Sequence, residues 1–227
     1  MPRLCLTAEG RTEQTFAFDV LRAHLALHGV YLAKGRLTAT GRNKGRVYRG
    51  GMFRYVVVKT DIGNWLKEDR SPDVFFTTML DLYGLPDDFP GYEEAHRLSD
   101  AYARVAKMEE ALVEDIGDSR FIPYLQLHEF EALLFSDPQG FGSYYRQAEP
   151  KIARLKAVLE EFQNPELIND GETTAPSKRI AQHFPEYARA KSTVGPIVAM
   201  QIGLEAIRAK CRHFNEWLAK LEKLGAQ

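Results

Sequence analysis

The sequence predicts an α/β fold, in which a central, mostly parallel sheet is flanked by helices and followed by a helical C-terminal elaboration. Strand-like apolar segments near residues 4–8, 73–80 and 120–127 alternate with segments of helical periodicity. From residue 144 onward, the remaining regular elements read as helices. We therefore divide the chain into an α/β core, residues 1–140, and a helical elaboration, residues 141–227.

The first apolar segment, Leu4–Ala8, reads as a strand that leads through a tight turn into a helix. Glu9 lies where the strand stops, and Gly10 gives the backbone the freedom that a tight turn requires. Thr12 is a plausible N-cap, and Glu13 falls in the first helical turn, where a carboxylate suits the helix dipole. Glu9 is therefore predicted at the carboxyl end of a strand, where open α/β sheets bind ligands. The plainer alternative is a structural turn before a capped helix.

Two histidines of this first helix, His24 and His28, are four residues apart and share a helical face. Such a pair can bind a metal ion, but no Glu follows His24 as it does in zinc proteases. We therefore expect both side chains to be solvated or packed against the core.

A basic segment without acidic residues follows, and its glycines and cations predict a flexible loop. Basic side chains on such a loop would neutralise phosphates without reading sequence. The alternative is a solvated loop whose charges bind nothing. It is not a P-loop, because no Gly-Lys-Ser/Thr element precedes a helix. The cations are Lys34, Arg36, Arg42, Lys44, Arg46, Arg49 and Arg54.

The next elements place a second carboxylate at a strand end. Helical spacing predicts a helix within residues 51–69, and the apolar run 73–80 is a buried strand that ends in Asp81. A turn or helix cap is the structural alternative for Asp81. A long amphipathic helix is predicted over residues 93–116.

The third predicted strand, residues 120–127, contains Pro123, which is typical of an edge or early strand position. It leads directly into His128, Glu129 and Glu131, beside an apolar run. Burying these side chains would be costly unless they are paired or bind a cation. We interpret His128 as an orienting hydrogen-bond partner rather than a ligand.

In the C-terminal elaboration, Lys178 and Arg179 stand at the start of a predicted helix. Cations are unfavourable there against the helix dipole. A bound anion would explain their position.

Composition narrows the possible classes of protein. The 227 residues are 44% hydrophobic and carry a net charge of −1, as in ordinary globular proteins, so any preference for nucleic acid has to be local. With no bilayer-spanning apolar run and no signal peptide, we expect a cytoplasmic protein without membrane contact. Cys5 and Cys211, the only cysteines, are expected to be buried free thiols, which excludes a cysteine-based zinc site.

Taken together, the predicted strand ends carry Glu9, Asp81 and the pair Glu129 and Glu131. Such ends converge on one edge of a parallel sheet, and clustered carboxylates repel one another unless cations lie among them. Oxygen ligands favour Mg²⁺ or Mn²⁺. Ions held in this way can support phosphodiester cleavage, with Lys178 stabilising charge on the phosphate.

The sequence resembles the DUF4276 family, a bacterial group related to the TOPRIM fold. The resemblance covers nearly the whole chain. It is carried by Ala8-Glu9-Gly10-Arg11-Thr12-Glu13, Thr77-Thr78-Met79-Leu80-Asp81-Leu82-Tyr83-Gly84-Leu85-Pro86, His128-Glu129-Phe130-Glu131-Ala132-Leu133-Leu134-Phe135, Pro176-Ser177-Lys178-Arg179-Ile180 and Cys211-Arg212-His213-Phe214.

The resemblance implies a TOPRIM-like core, whose motif is a Glu after the first strand and an Asp-x-Asp after a later strand. Glu9 and Asp81 match the first two acids, whereas Tyr83 replaces the second Asp and puts a full two-metal site in question. The nuclease branch, related to the overcoming-lysogenization-defect nucleases, adds further acids and a lysine. By similarity these would be Glu13, Glu129 or Glu131, and Lys178.

We therefore expect a Mg²⁺- or Mn²⁺-dependent nuclease that acts in phage defence. DNA is favoured over RNA as its nucleic-acid partner, and the resemblance implies an ABC-type ATPase as a further partner. The rival hypotheses are a non-catalytic subunit that binds nucleic acid or an ATPase, and a phosphate-transfer enzyme acting on nucleotides. The metal ligands would be Glu9, Glu13, Asp81, Glu129 and Glu131, and the nucleic-acid contacts Arg42, Lys44, Arg46, Arg49 and Arg179.

Overall fold

A computed structural model describes residues 1–43, 46–49, 54–168 and 173–226, with side chains omitted for residues 39–43 and 46–49. Seven strands are seen in this part of the chain. They are β1 (Arg3–Ala8), β2 (Tyr31–Leu37), β3 (Ala39–Asn43), β4 (Arg46–Arg49), β5 (Val74–Asp81), β6 (Phe121–Ile122) and β7 (Leu125–Gln126).

Helices connect the strands and make up the C-terminal part. The first helical segment consists of α1 (Arg11–Phe16), a π-helical stretch (Ala17–Leu21) and α2 (Arg22–Leu27). The other α-helices are α3 (Tyr55–Glu68), α4 (Tyr92–His96), α5 (Ala101–Ile116), α6 (Glu149–Phe162), α7 (Pro176–His183), α8 (Tyr187–Ile202), α9 (Leu204–Lys210) and α10 (Arg212–Glu222). Short 3₁₀ helices span Leu82–Gly84, Phe130–Ser136, Pro138–Ser143, Pro165–Leu167 and Lys223–Ala226.

The main sheet is parallel, with strand order β2-β1-β5-β6, and β7 also pairs with β5. The chain runs from β1 to β2 on one side and then crosses back to β5 on the other side of β1. The gap between the carboxyl ends of β1 and β5 is therefore the topological switch point, where open α/β sheets bind ligands. The predicted α/β fold with a mostly parallel sheet is confirmed.

Both faces of the sheet are covered, as the period of a strand requires. Leu4 and Leu6 of β1 point into one hydrophobic cluster, whereas Cys5 between them points into the other. The first cluster is built with α1, α2 and the C-terminal helices, and the second with α3 and α5. Cys5 and Cys211 are buried free thiols, as expected.

The predicted strand over residues 120–127 is two short strands separated by Pro123 and Tyr124. The hydroxyl of Thr78 on β5 bridges the interruption. It accepts a hydrogen bond from the Tyr124 amide (2.9 Å) and donates one to the Tyr124 carbonyl (3.0 Å). A side-chain hydroxyl of β5 thus pairs with the backbone of Tyr124 between the two short strands.

The basic segment differs from the predicted flexible loop, because residues 31–37 form β2 and residues 39–43 and 46–49 form a hairpin. Edge strands tolerate charge, since one side of the strand faces solvent. Arg36 on β2 pairs with Glu68 and lies 4.4 Å from the centroid of the Trp65 ring. The sequence pattern missed these strands because β1 supplies the hydrogen bonds that order β2.

The long helix predicted over residues 93–116 is broken into α4 and α5. Asp100 ends the gap between them, since its side chain accepts a hydrogen bond from the Ala103 amide (2.7 Å) and caps α5. The helix predicted within residues 51–69 is confirmed as α3.

The C-terminal helices pack directly on the sheet. Trp217 of α10 is buried, donates a hydrogen bond from Nε1 to the Thr77 hydroxyl on β5 (2.9 Å) and stacks on Tyr124, with 4.3 Å between ring centroids. The division of the chain into two parts at residue 140 stays a prediction, and the hydrophobic core is continuous across it. Among the described helices, none combines the length and apolar composition needed to cross a bilayer.

Candidate functional site

Five carboxylates lie at the carboxyl edge of the sheet, around the switch point. Glu9 follows β1, Asp81 ends β5, and Glu129 lies three residues beyond β7. Glu13 projects from the first turn of α1, and Glu131 from the 3₁₀ helix that follows Glu129. We refer to Glu9, Glu13, Asp81, Glu129 and Glu131 as the acidic cluster.

Glu9 bridges the two strands that flank the switch point. Its Oε2 accepts a hydrogen bond of 2.9 Å from the Asp81 amide. Its Oε1 lies against Gly84, where a Cβ atom would approach it to 2.8 Å. Gly84 is therefore a residue of the site that sequence reasoning missed, because its role depends on a contact with a residue 75 positions away.

Glu13 is held by the turn that begins its own helix. Its buried carboxylate accepts a hydrogen bond from the Gly10 amide through Oε2 (2.8 Å). Gly10, rather than the expected Thr12, is the N-cap, and α1 begins at Arg11. The amide of Gly10 has no acceptor within the helix, and the carboxylate of Glu13 supplies one. The positive end of the helix dipole also favours a negative charge at this position.

The ends of β5 and β7 are tied together by hydrogen bonds. Asp81 Oδ1 accepts one from the Phe130 amide (3.0 Å), and the Tyr83 amide donates one to the His128 carbonyl (3.1 Å). His128 is buried and has a φ of 62°, a left-handed conformation that is uncommon outside glycine. This turn directs Glu129 and Glu131 toward Asp81.

Glu129 and Glu131 are held by the C-terminal helices. Glu129 Oε2 accepts a hydrogen bond from the Ser177 amide at the N-terminus of α7 (2.9 Å). Glu131 Oε1 accepts one from the buried Tyr187 hydroxyl (3.2 Å) and lies 3.3 Å from the Nζ of Lys191, both on α8. The helical elaboration thus contributes directly to the geometry of the acidic cluster.

The environment of the acidic cluster favours protonated carboxyls. Burial is the largest cause, and it raises the pKa of Glu9 and of Glu13 from 4.5 to about 7. The neighbouring charges of Glu129 and Glu131 add to the rise in the pKa of Glu9, and the hydrogen bond from the Asp81 amide opposes it. Burial and then the other four carboxylates raise the pKa of Asp81 well above its ordinary value.

The pKa of Glu131 is also raised, chiefly by burial and partly by Glu129, although the ammonium of Lys191 opposes the rise. Lys191 contacts the cluster through Glu131, and no local motif predicts this role, because the residue lies within a helix. Mutual repulsion of this kind is relieved when a divalent cation lies among the carboxylates.

The donor set suits a hard cation. In each carboxylate of the acidic cluster, one oxygen accepts a hydrogen bond from another residue. Within the described part of the chain, the second oxygen accepts none from another residue. No three of the cluster's described carboxylates bring ligand oxygens within 4.8 Å of one another, so a shared ion would have to draw them together. Oxygen donors without imidazole or thiolate are the set that Mg²⁺ and Mn²⁺ take in proteins.

The two predicted cations of α7 are placed differently. Lys178 is exposed, and no ion pair or hydrogen bond joins its side chain to the described carboxylates of the cluster. Arg179 donates a hydrogen bond from Nε to the Thr174 carbonyl (2.7 Å) and lies 5.0 Å from the centroid of the Phe162 ring. The roles of Lys178 and Arg179 in binding phosphate stay predictions.

The remaining predicted nucleic-acid contacts lie in the hairpin. Arg42, Arg46 and Arg49 are on β3 and β4, where only the backbone is described. Lys44 lies outside the described residues. The hairpin begins beside the acidic cluster, because the Thr38 amide donates to the Ala8 carbonyl (2.9 Å) and the Thr38 hydroxyl to the Glu9 carbonyl (3.2 Å).

Neither the characterised proteins nor the solved structures contain a match to the chain. The sequence profile of a domain of unknown function, DUF4276, matches residues 8–222. That range runs from the end of β1 to the end of α10 and includes every member of the acidic cluster. Because the match covers nearly the whole chain, the protein belongs to the DUF4276 family.

Proposed function

We propose that the protein is a metal-dependent nuclease that hydrolyses phosphodiester bonds of nucleic acid, DNA in preference to RNA. The observation that carries the proposal is the convergence of five carboxylates on the switch point of the sheet, with the pKa of four of them raised. Carboxylates whose pKa is perturbed in this way cluster at functional sites. A purely structural role would not require so many acids at one sheet edge.

The proposed cofactor is Mg²⁺ or Mn²⁺. When bound, such ions activate water and stabilise the leaving oxygen of a phosphodiester. Glu9 and Asp81 would hold the metal between β1 and β5, each keeping one oxygen on a backbone amide and offering the other. Glu13, Glu129 and Glu131 would complete the oxygen donors. Fixed hydrogen bonds to the outer oxygens orient the inner ones, which is how metal sites are preorganised.

Lys178 would stabilise negative charge on the scissile phosphate. The amide of the preceding residue, Ser177, donates to Glu129, so the N-terminus of α7 faces the acidic cluster. Lys178 is in the first turn of this helix and is free of the core. A phosphate between α7 and the cluster would meet both the positive end of the helix dipole and the ammonium.

The basic hairpin would bind the phosphate backbone of the substrate. Thr38, which precedes β3, lies beside Glu9, so β3 and β4, the strands of Arg42, Arg46 and Arg49, follow the edge of the sheet that carries the acids. Lys44, between these strands in the sequence, is proposed for the same role. Arg179 would add to this surface from α7. Contacts of this kind position nucleic acid without reading its sequence.

The TOPRIM-like relationship and the role in phage defence belong to this proposal. The TOPRIM-like relationship is supported by a Glu directly after β1 and an Asp at the end of the adjacent strand β5, the two acids by which the sequence resembles the TOPRIM motif. By the same resemblance, an ABC-type ATPase would be the partner, and the protein would act in the bacterial cytoplasm. Tyr83, half exposed in the 3₁₀ turn after Asp81, stands where the motif has its second Asp. Glu13, Glu129 and Glu131 would supply the missing oxygen donors.

The direct test is cleavage of plasmid DNA, single-stranded DNA and RNA with Mg²⁺ or Mn²⁺. We expect metal-dependent cutting that is lost in Glu9→Ala while the far-ultraviolet circular dichroism is unchanged. Glu160→Gln, an exposed change on α6, is the matched control and keeps full activity. Equal cutting by wild type and Glu9→Ala would contradict the proposal.

The second candidate is a non-catalytic subunit that binds nucleic acid or an ATPase. It is favoured by Tyr83 and by carboxyls whose raised pKa lets them hold protons instead of metal. Calorimetric titration with Mn²⁺ separates the two candidates. A nuclease site binds Mn²⁺ and loses that binding in Glu9→Ala, whereas a degenerate site shows the same absence of binding in both proteins.

A further inference from the structure

A second group of metal-ligating side chains lies away from the acidic cluster, where the first helical segment meets the last helix. His24 and His28 are one turn apart, and Glu222 is the last residue of α10. One ligand atom from each residue lies within 4.8 Å of the other two. We propose that these three side chains form a binding site for a borderline divalent cation of the zinc type. The site is independent of the proposed nuclease function.

The distances suit a shared ion. The Nε2 atoms of His24 and His28 lie 2.6 and 3.7 Å from Glu222 Oε1. The bond lengths of Zn²⁺, about 2.0–2.2 Å to nitrogen and oxygen, place tetrahedral ligand atoms about 3.3 Å apart. The three atoms bracket this separation, so small rotations of two imidazoles would bring them onto one ion. Two imidazoles and one carboxylate select zinc-type ions over Mg²⁺.

The sequence spacing alone did not favour this interpretation, because the pair lacks the Glu that follows the first His in zinc proteases. The third ligand comes from 198 residues away along the chain. Two histidines at positions i and i+4 on one helix with a carboxylate from another element form a recurring zinc arrangement.

Arg208 orients the carboxylate of Glu222 and contacts both of its oxygens. Its guanidinium donates to both oxygens of Glu222, with Nη2 3.2 Å from Oε2, and its Nε is held by the Asn215 side chain (2.7 Å). An ion on Oε1 displaces the Nη1 contact and the hydrogen bond between His24 Nε2 and Oε1, whereas Nη2 remains on Oε2. A metal-bound carboxylate that keeps an outer hydrogen bond is oriented in this way in protein metal sites.

The site is accessible to an ion from solvent. The side chain of His28 is 42% exposed, whereas those of His24 and Glu222 are 22% and 14% exposed. A surface cavity of about 480 Å³ borders the site and is lined in part by His24, Leu204 and Arg208. A water molecule can therefore complete a four-coordinate ion. Because the ligands come from α2, from His28 directly after it and from α10, the ion would join the first helical segment to α10.

The test is calorimetric titration of Zn²⁺ into the untagged full-length protein after treatment with a chelator. We expect one equivalent to bind in wild type. Loss of an outer hydrogen-bond partner costs about 10–100-fold in metal affinity, so loss of a direct ligand in His28→Ala should cost at least about a hundredfold. His28 is half exposed, so this variant retains its fold. His96→Ala, which removes an exposed histidine on α4, is the matched control and binds Zn²⁺ as wild type does.

Two further measurements assign the binding to these residues. Co²⁺ should give the intense visible absorption of a four-coordinate ion in wild type and His96→Ala, and not in His28→Ala. Glu9→Gln should leave the same Zn²⁺ isotherm intact, which separates this site from the acidic cluster. Absence of stoichiometric Zn²⁺ binding in wild type, or equal affinity in wild type and His28→Ala, would overturn the proposal.

Discussion

The carboxylate of Glu9, one residue beyond β1, accepts a hydrogen bond of 2.9 Å from the amide of Asp81, the last residue of β5. One acid of the cluster is thereby held in place by the backbone of another. Because β1 and β5 flank the switch point, this bond also fixes the separation of the two strand ends. The position of the Glu9 carboxylate should therefore be sensitive to small changes at its neighbours.

Gly84→Ala tests this sensitivity. An added Cβ would approach Glu9 Oε1 to 2.8 Å, closer than such atoms pack, so the carboxylate has to move. We expect Mn²⁺ affinity and cleavage both to fall, by less than the loss of about a hundredfold that a 1 Å misplacement can cause. Calorimetry and the plasmid assay measure these effects.

The matched control is Gly63→Ala on α3, where an added Cβ meets nothing within 4 Å. Alanine in a helix is favoured over glycine by about 1 kcal/mol, so this variant should be slightly more stable and fully active. A Gly84→Ala protein that keeps the Mn²⁺ affinity of Gly63→Ala would show that the Glu9 contact does not position the site.

Metal binding should tighten as the pH rises. Glu9 and Glu13 have a pKa of about 7 in the metal-free protein, so protons compete with the cation below that pH. We expect the affinity for Mn²⁺ to increase between pH 6 and pH 8 and each bound ion to release protons. Calorimetry in buffers of different ionisation enthalpy measures that release, and a flat profile would exclude titration of these carboxyls.

The stability of the metal-free protein should change in the opposite direction. Since the folded pKa of Glu9 and Glu13 exceeds 4.5, the folded state holds protons that the unfolded state has released between pH 4.5 and about 7. The free energy of unfolding therefore falls across this window, by a few kcal/mol in all. Urea titrations at a series of pH values measure it. The variant Glu9→Gln/Glu13→Gln should show a smaller fall.

Lys178 and Lys191 should be separable by their effects. No ion pair or hydrogen bond joins Lys178 to the described carboxylates of the cluster, so Lys178→Ala should slow cleavage and leave the pH dependence of Mn²⁺ binding unchanged. Lys191 lowers the pKa of Glu131, so Lys191→Ala should raise that pKa and shift the binding profile to higher pH. Identical profiles in the two variants would contradict this division of roles.

Glu166 should be the most important acid for stability outside the cluster. It is fully buried and accepts hydrogen bonds from the amides of His213 and Phe214, at the start of α10, and from the Tyr102 hydroxyl. Glu166→Ala leaves these donors unsatisfied and should cost about 3 kcal/mol in urea unfolding. Glu161→Ala, an exposed change on α6, should have little effect.

The parts of the protein that could be predicted from sequence depend on local pattern. The apolar run that forms β5 can be recognised from its own residues, without knowledge of the neighbouring strands. Because the strands are parallel, their carboxyl ends bring Glu9 and Asp81 to the same edge of the sheet. The burial of Glu131 beside an apolar run pointed to a partner, which the structure identifies as Lys191.

What could not be predicted depends on contacts between distant residues. Strand β2 exists because β1 supplies its hydrogen bonds, although its own residues read as a basic loop. The contact of His24 with Glu222 joins opposite ends of the sequence, and no local spacing signals it. The break at Pro123 was visible, but its repair by the hydroxyl of Thr78 was not.

The contact of Trp217 with Thr77 also bears on how the chain is made. During synthesis β1, β5 and Tyr124 emerge well before α10, the helix that covers them. Until that helix is made, the nascent chain exposes an apolar face of the sheet, and the hydroxyl of Thr77 lacks its hydrogen bond from Trp217. Such surfaces are where incomplete chains associate or are held by chaperones. A chain whose synthesis stops before α10 would therefore expose an apolar face of the sheet and tend to aggregate, and it would not fold as a smaller domain.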